Sequence, residues 1–281
     1  MKVFYHRADR RSVLFVLAAL ALTAIQWSGV ARHPALYAAS LCLAFFACVI
    51  DHNHQHRPVF LSRRLNRLFG VLLTWAIGQP ASAIVPMHVK NHHVHNNHAE
   101  DFVRTSIVEF RWNLLNLLLF PLAAIRGYAR VKSRDLGEWR RRQPARYRQL
   151  VLERWALYPM GVALIAVAPL DTLVYVLVPW LYGQWGILAV NHVQHHGCDP
   201  DSPLDHTRNF TGRWLNWWTF NNGYHSAHHL RPAMHWSRMP ELHRELEPGL
   251  DPRLQERSLL AAVARLYLWP RARPAQEKGV L

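Results

Sequence analysis

Acidic residues are scarce in this 281-residue chain: 18 Asp and Glu stand against 33 Lys and Arg, a formal net charge of +15. Cysteine is scarcer still, with three in all, two of them (Cys42 and Cys48) inside an apolar block. That excludes a disulfide framework and a cysteine-based zinc site. Internal repeats and low-complexity tracts are missing, which excludes a solenoid and a disordered linker. Charge of either sign is absent from residues 12–30, and between 155 and 190 only Asp171 carries any. Apolar residues gathered in blocks of that length argue against an ordinary soluble enzyme and for a chain that meets lipid.

What is present is arginine, histidine and hydrocarbon. Half of the residues are hydrophobic (51%), yet the mean hydropathy is -0.08, because the polar remainder is dominated by 33 basic residues and 19 histidines. The arginines sit at the ends of the apolar blocks and in one connecting run: Arg126, Arg130, Arg134, Arg140, Arg141, Arg142, Arg146, Arg148 and Arg154. The positive-inside rule puts such residues in the cytoplasm, so nucleic acid is set aside as a partner. Residues 12–30 form a helix of about 28 Å at 1.5 Å per residue, one hydrocarbon thickness. A second block, 34–50, follows at once, so the two read as a hairpin and not as a cleaved signal peptide. Lys2, Arg7, Arg10 and Arg11 place its N-terminus in the cytoplasm.

Residues 155–169 and 172–190 make a second hairpin turning at Pro169-Leu170-Asp171. Residues 67–87 are broken by Gly78-Gln79-Pro80 and read as re-entrant or interfacial. The stretch 105–125 carries Glu109, Arg111, Asn113 and Asn116, and reads as an interfacial or protein-covered helix. A short interfacial helix is expected from Leu259 to Trp269. The predicted fold class is an all-α membrane protein, a single domain over 1–281. Four transmembrane helices in two hairpins leave both termini and a cytoplasmic helical cap on one side.

Fourteen of the 19 histidines fall in four windows, 51-DHNHQH-56, 88-HVKNHHVHNNH-98, 191-NHVQHH-196 and 225-HSAHH-229, each just beyond an apolar block. On a helix, residues i and i+3 or i+4 share a face, so His52/His56, His88/His92, Asn191/His195 and His225/His228/His229 each converge on a point. One histidine alone is an ordinary surface or core residue, and His6, His33, His206 and His243 are read that way. Four windows at matching depth are metal-ligand spacings. Eight or more histidines exceed one tetrahedral ion, so two ions are expected. Imidazole suits Zn, Cu, Fe and Ni alike, and the shortage of carboxylates in the windows disfavours Mg and Ca.

The set HxxxH (His52, His56), HxxxHH (His88, His92, His93), NxxxH (Asn191, His195) and HxxHH (His225, His228, His229) resembles the histidine boxes of the integral-membrane fatty acid desaturase and hydroxylase superfamily. The last box is the most specific, because 221-NNGYHSAHHLRPAMHWSRMPELH-243 is similar to that family's third-box neighbourhood. The resemblance implies a non-haem centre of two iron ions held by these histidines on the cytoplasmic side, with Asn191 as a further ligand. It also implies O2 as co-substrate and an acyl chain in a tunnel. The second box departs by one residue, having three between its first histidine and the pair where two are common. His95 and His98 therefore offer an alternative completion. His54, His192 and His196 are expected as supporting or spacer residues, with His196 able to replace Asn191. Asp51, Asp101 and Asp199 are candidates to fix imidazole tautomers. Trp214, Trp217 and Trp218 are weighed as tunnel lining against an interfacial belt, with the belt favoured.

The expected enzyme is thus an oxidoreductase that desaturates a fatty acyl chain borne by a membrane lipid or an acyl carrier. No haem or flavin motif is visible, so an external electron donor such as a ferredoxin or cytochrome is expected, docked on the basic face. The near rival is a hydroxylase, ketolase or other oxygenase on the same scaffold. The distant rival is a histidine-rich membrane metal transporter or sensor, which should carry ionisable residues within its spans. Here the first two spans carry none.

Overall fold

The computed structural model describes residues 2–268, and for 127–135 the backbone alone. The side chains of Arg130 and Arg134, and Trp269 at the end of the expected C-terminal helix, lie outside the described residues. The chain is helical almost throughout; the described strands are one short parallel pair, β1 (Asn209–Phe210) on β2 (Gln255–Glu256).

Four helices are long and apolar enough to cross a membrane: α1 (Asp9–Trp27), α2 (Pro34–His56), α5 (Pro144–Val167) and α6 (Pro169–His195). They form the two expected hairpins, with boundaries that shift for physical reasons. Asp9 joins α1 as a buried carboxylate that accepts hydrogen bonds from His235 Nε2 at 3.1 Å and Trp236 Nε1 at 3.0 Å, so the first turn is held by tertiary partners. α2 runs on to His56 and α6 to His195, so the first and third windows lie within the ends of the spanning helices, not beyond them. α5 begins eleven residues before Trp155, with Pro144 as its first residue. At the opposite end the hairpin turns are clipped together by Arg32 Nη2 on Asp171 at 2.7 Å and Trp27 Nε1 on Thr172 Oγ1 at 2.8 Å.

α3 (Arg63–Ile77) and the arm Ala81–His95 meet at 84°, with the break at Gly78-Gln79-Pro80. Gly78 adopts φ 70°, and a Cβ there would sit 2.2 Å from the Trp180 ring. Both facts require glycine. The arm is secured at its start by Glu153 of α5, which accepts from Ser82 N at 2.9 Å and Ser82 Oγ at 2.6 Å. That partnership is why a carboxylate is tolerated in an otherwise apolar helix.

The expected helix over 105–125 is corrected. Residues 105–107 form a single tight turn, and α4 starts only at Asn113, continuing to Arg142 (Asn113–Arg142). The polar residues explain the difference: the Asn116 amide bonds both N and O of Phe110, which fixes a loop ahead of the helix. The later helices α7 (Arg213–Trp218), α8 (His225–Leu230) and α9 (Met239–Leu246) build the cap. The C-terminal segment α10 (Leu259–Leu268) buries Ala262 and Tyr267 fully among Leu117, Ala189, Val193 and Phe210 and leaves Leu260 and Leu268 exposed.

α2 crosses α6 closely enough at Gly183 that a Cβ there would lie 2.8 Å from the Ala44 backbone. This contact sets the C-terminal ends of α2 and α6 side by side. Residues 197–208 then fold back over α6, with Arg208 Nη1 donating to the carbonyls of Val193 and His196. Phe220 and Asn221, at φ 52° and 60°, turn the chain sharply into α8.

Candidate metal centre

Two groups of imidazoles meet at the shared end of α2 and α6. His52, His56, His88, His93 and His228 form the first group, and His92, His195, His225 and His229 the second. Within each, one ring nitrogen per residue lies within 4.8 Å of all the others. Nitrogens bound at about 2.1 Å to one ion stand no more than about 4.2 Å apart, so a small contraction brings either group to ligand geometry.

The nitrogens themselves fit a metal better than one another. His56 Nε2, His92 Nε2 and His229 Nε2 are buried without a hydrogen-bond partner. Elsewhere ring nitrogens face each other directly: His52 Nε2 to His228 Nε2 at 3.1 Å, His88 Nε2 to His93 Nε2 at 3.0 Å, and His195 Nε2 to His225 Nε2 at 3.1 Å. Orphaned buried nitrogens are costly unless something binds them. Burial, reinforced by neighbouring imidazoles, holds His225, His228 and His229 well below the usual histidine range. They are neutral, with lone pairs available, as a metal requires.

The extra residue in the second window has a structural cause. His88–His92 is one turn of π-helix, whose i to i+5 bonding absorbs one more residue than an α-turn. His88 and His93, five apart, therefore serve the same group, with ring centroids 4.5 Å apart, while His92 is aimed at the second group. His95 and His98 belong to neither; His98 is exposed and sits 3.6 Å from Asp201. The structure thus gathers His88, not His95 or His98, with His93.

Asp101, fully buried, accepts from His92 Nδ1 at 2.7 Å and from the amides of Asn97 and Val103. Burial pushes its carboxyl up, but His92 and these donors outweigh it and hold the pKa below the ordinary value. The carboxylate fixes the His92 proton on Nδ1 and turns Nε2 toward the second group.

Other expected supporting residues are placed elsewhere. Asp51 is buried but accepts from Gln55 Nε2 at 2.9 Å, one helical turn along its own helix. Asp199 is exposed and caps a turn through Asp201 N. His54 accepts from Val59 N and packs its ring on Phe69. His192 packs on Phe120 and Tyr267, and His196 stacks on His192, so both face α10 and not the groups. Trp214, Trp217 and Trp218 are exposed; Trp217 and Trp218 lean on Phe15, and Trp218 also on Phe46, at the outer surface of the first hairpin. For Asp51, His54 and His196 the placement follows helix phase: a side chain one or two residues from a ligand points around the helix, away from it.

Asn191 lines a cavity of about 50 Å³ together with His52, His88 and His225, and its Nδ2 is buried without a partner. The other walls are largely apolar, including Ile84, Met87, Val103 and Leu188. His206 is the residue that sequence reasoning passed over. It is buried, and its ring lies 5.5 Å from that of His229. No helical spacing links it to another histidine, and only the fold of 197–208 brings it there.

A family model described as fatty acid desaturase matches residues 28–259, which include all nine clustered histidines. No curated protein matches the chain.

Proposed function

This chain belongs to the fatty acid desaturase family, and from that premise we propose that it is an O2-dependent membrane desaturase that introduces a double bond into a fatty acyl chain. The observation that carries the reading is the pair of all-histidine groups with an apolar cavity against both. The proposed cofactor is two iron ions, one in each group, which with O2 supply the oxidising power that no acid or base side chain has for an unactivated C–H bond. His52, His56, His88, His93 and His228 would hold one ion and His92, His195, His225 and His229 the other.

The remaining work belongs to side chains of this protein. Ile84, Met87, Val103 and Leu188 exclude water and seat methylene groups against the histidines. Asp101 keeps the His92 proton on Nδ1 throughout. In the overall reaction two C–H bonds break and one C=C bond forms. The two electrons released, together with two from an external donor, reduce O2 to two waters, with two protons taken from solvent. A ferredoxin or cytochrome is the proposed donor, and a membrane lipid or acyl carrier presents the chain. The N-terminal basic residues and the arginine-rich connection support a cytoplasmic position for the metal end and the termini.

The test is expression in a host of known lipid composition, with mass spectrometry of the acyl chains for the natural protein and His228→Ala/His229→Ala. New double bonds that vanish in the variant are expected. An added oxygen in their place assigns the chain to hydroxylation, and no change in either product overturns both readings.

A further inference from the structure

A groove of about 310 Å³ runs between the first half of α4 and the loop that precedes it. Ile107, Val108, Phe110, Leu119 and Leu122 make it mainly apolar, while Glu109 and Arg126 bring one charge of each sign to the same walls. Both charged side chains are exposed, and among the described residues neither has an ion-pair partner within 4 Å. An exposed apolar groove edged by unpaired charge marks a binding surface, and its volume suits a ligand.

Its level on α6 identifies the medium it opens on. α6 leaves the opposite membrane surface at Asp171, which pairs with Arg32 at 2.7 Å. Crossing the hydrocarbon layer takes about 20 residues, or about 30 Å, which carries α6 to the neighbourhood of Asn191. α4 crosses α6 at that level: Trp185 Nε1 donates to Leu118 O at 3.1 Å, and the Phe120 ring packs on His192 at 4.6 Å. Leu118, Leu122 and Ile125, spaced by four and three, form one exposed apolar face, and Trp112 is exposed just ahead of the helix. Such a face at the edge of the hydrocarbon layer meets lipid. Leu122, 59% exposed, belongs both to this face and to the groove.

The groove also adjoins the cavity at the histidines. Ile107 and Val108 line the groove, whereas Met87, Val103 and Leu188 line the cavity. All five pack in one apolar cluster. One layer of apolar side chains therefore separates a lipid-facing groove from the space beside His52, His88 and His225.

We propose that the groove is the entry site for a zwitterionic phospholipid, whose phosphate rests on Arg126, whose ammonium faces Glu109, and whose acyl chain passes Val103 to reach the histidines. The proposal rests on the desaturase reading given above and fixes the substrate as a chain esterified to a membrane lipid. The ester bond is neither made nor broken. A thioester carried in water is disfavoured on two counts: the groove opens on lipid, and Glu109 repels a polyanionic carrier such as CoA.

The test uses the full-length protein in membranes of an expressing host, given phosphatidylethanolamine with one acyl chain either deuterated or carrying a photoreactive diazirine. Photolabelling, mapped by mass spectrometry, is expected within residues 107–126. Arg126→Glu should lower it about fivefold, as reversing one member of an exposed ion pair does, and the milder Arg126→Gln should fall between. Arg213→Glu makes the same charge change at an exposed position beside Trp214 and should lower it by less than about twofold. Glu109→Gln should raise labelling by a phosphatidylglycerol analogue about threefold relative to phosphatidylethanolamine, because the carboxylate that favours an ammonium is gone. Deuterated double bonds should appear in the phosphatidylethanolamine itself and fall with the labelling in Arg126→Glu, while metal content stays unchanged. Equal labelling in the natural protein and both Arg126 variants assigns the groove to ordinary surrounding lipid and overturns the proposal. Double bonds formed from deuterated acyl-CoA and none from phosphatidylethanolamine also overturn it, and leave the desaturase reading in place. Labelling that depends on Arg126, with no new double bond from either substrate, keeps the lipid site but overturns the desaturase reading and with it the role of the groove as an entry.

Discussion

The two histidine groups are built differently. The first takes His52 and His56 from α2, and the second takes His195 from α6. Those are private contributions, each from the end of one spanning helix. The π-turn and α8 are shared: the turn gives His88 and His93 to the first group and His92 to the second, while α8 gives His228 to the first and His225 and His229 to the second. The private ligands come from long helices whose positions are fixed by packing along their length. The shared ones come from short elements that lie between the two groups and set their separation. Two metal positions held at one distance need such common pieces, because independent helices can slide without changing either site alone.

That difference makes ordered predictions. Removing one shared ligand from each group, as in His228→Ala/His229→Ala, should empty both positions. Product should fall by more than the roughly 100-fold typical of losing a ligand's hydrogen-bond partner. Metal analysis of the purified protein reads this directly. The private ligands should act singly: His56→Ala and His195→Ala should each abolish turnover yet leave close to one ion per chain, and loss of both ions from either variant would contradict the division drawn here. Asp101→Asn leaves every ligand in place but removes the carboxylate charge beside His92 Nδ1 and turns one of the two acceptor oxygens into a donor. A loss of about 10- to 100-fold in metal affinity is expected, confined to the second group, and chelator competition resolves the two positions.

Smaller effects probe the frame. Gly183→Ala forces a methyl against the Ala44 backbone and should cost about 1–3 kcal/mol, the usual result of overpacking, measured as a lower Tm with metal content retained. Smallest of all is the contrast between wall and belt. Met87→Ala enlarges the cavity beside His88 and should shift the chain-length or positional profile of the products. Trp217→Ala, at the outer surface, should leave that profile unchanged, and a shift there would return the tryptophan to the tunnel.

Much of this was legible in the chain itself. Charge-free blocks identified the spanning helices, because a lipid-facing helix is marked by composition alone. The broken segment at Gly78-Gln79-Pro80 was equally plain, since proline removes a donor and glycine allows the turn. Windows of histidine at helical spacing gave His52/His56 and His225/His229, each four apart on one helix face, for the same reason, whereas His228, read as converging with the latter pair, serves the other group. The reading failed where direction depends on something other than α-helical phase. His88 and His93 share a group only because a π-turn changes the phase, and His98 lies beyond the left-handed turn at Asn96 and Asn97.

Asp51 and Asp101 look alike in the sequence, each close to a histidine box. Only the fold shows that Asp51 bonds along its own helix, whereas Asp101 reaches back across a loop to His92. His206 is the reverse case, ordinary by spacing and yet beside His229. By itself the sequence determined which segments are apolar and long enough to cross a membrane, which windows of histidine gather at one end, and the family they belong to, since these follow from composition and local period. Only the tertiary structure decided how nine histidines divide into five and four and which carboxylate orients one of them. Those outcomes depend on distances between segments far apart in the chain, which packing fixes and local spacing does not contain.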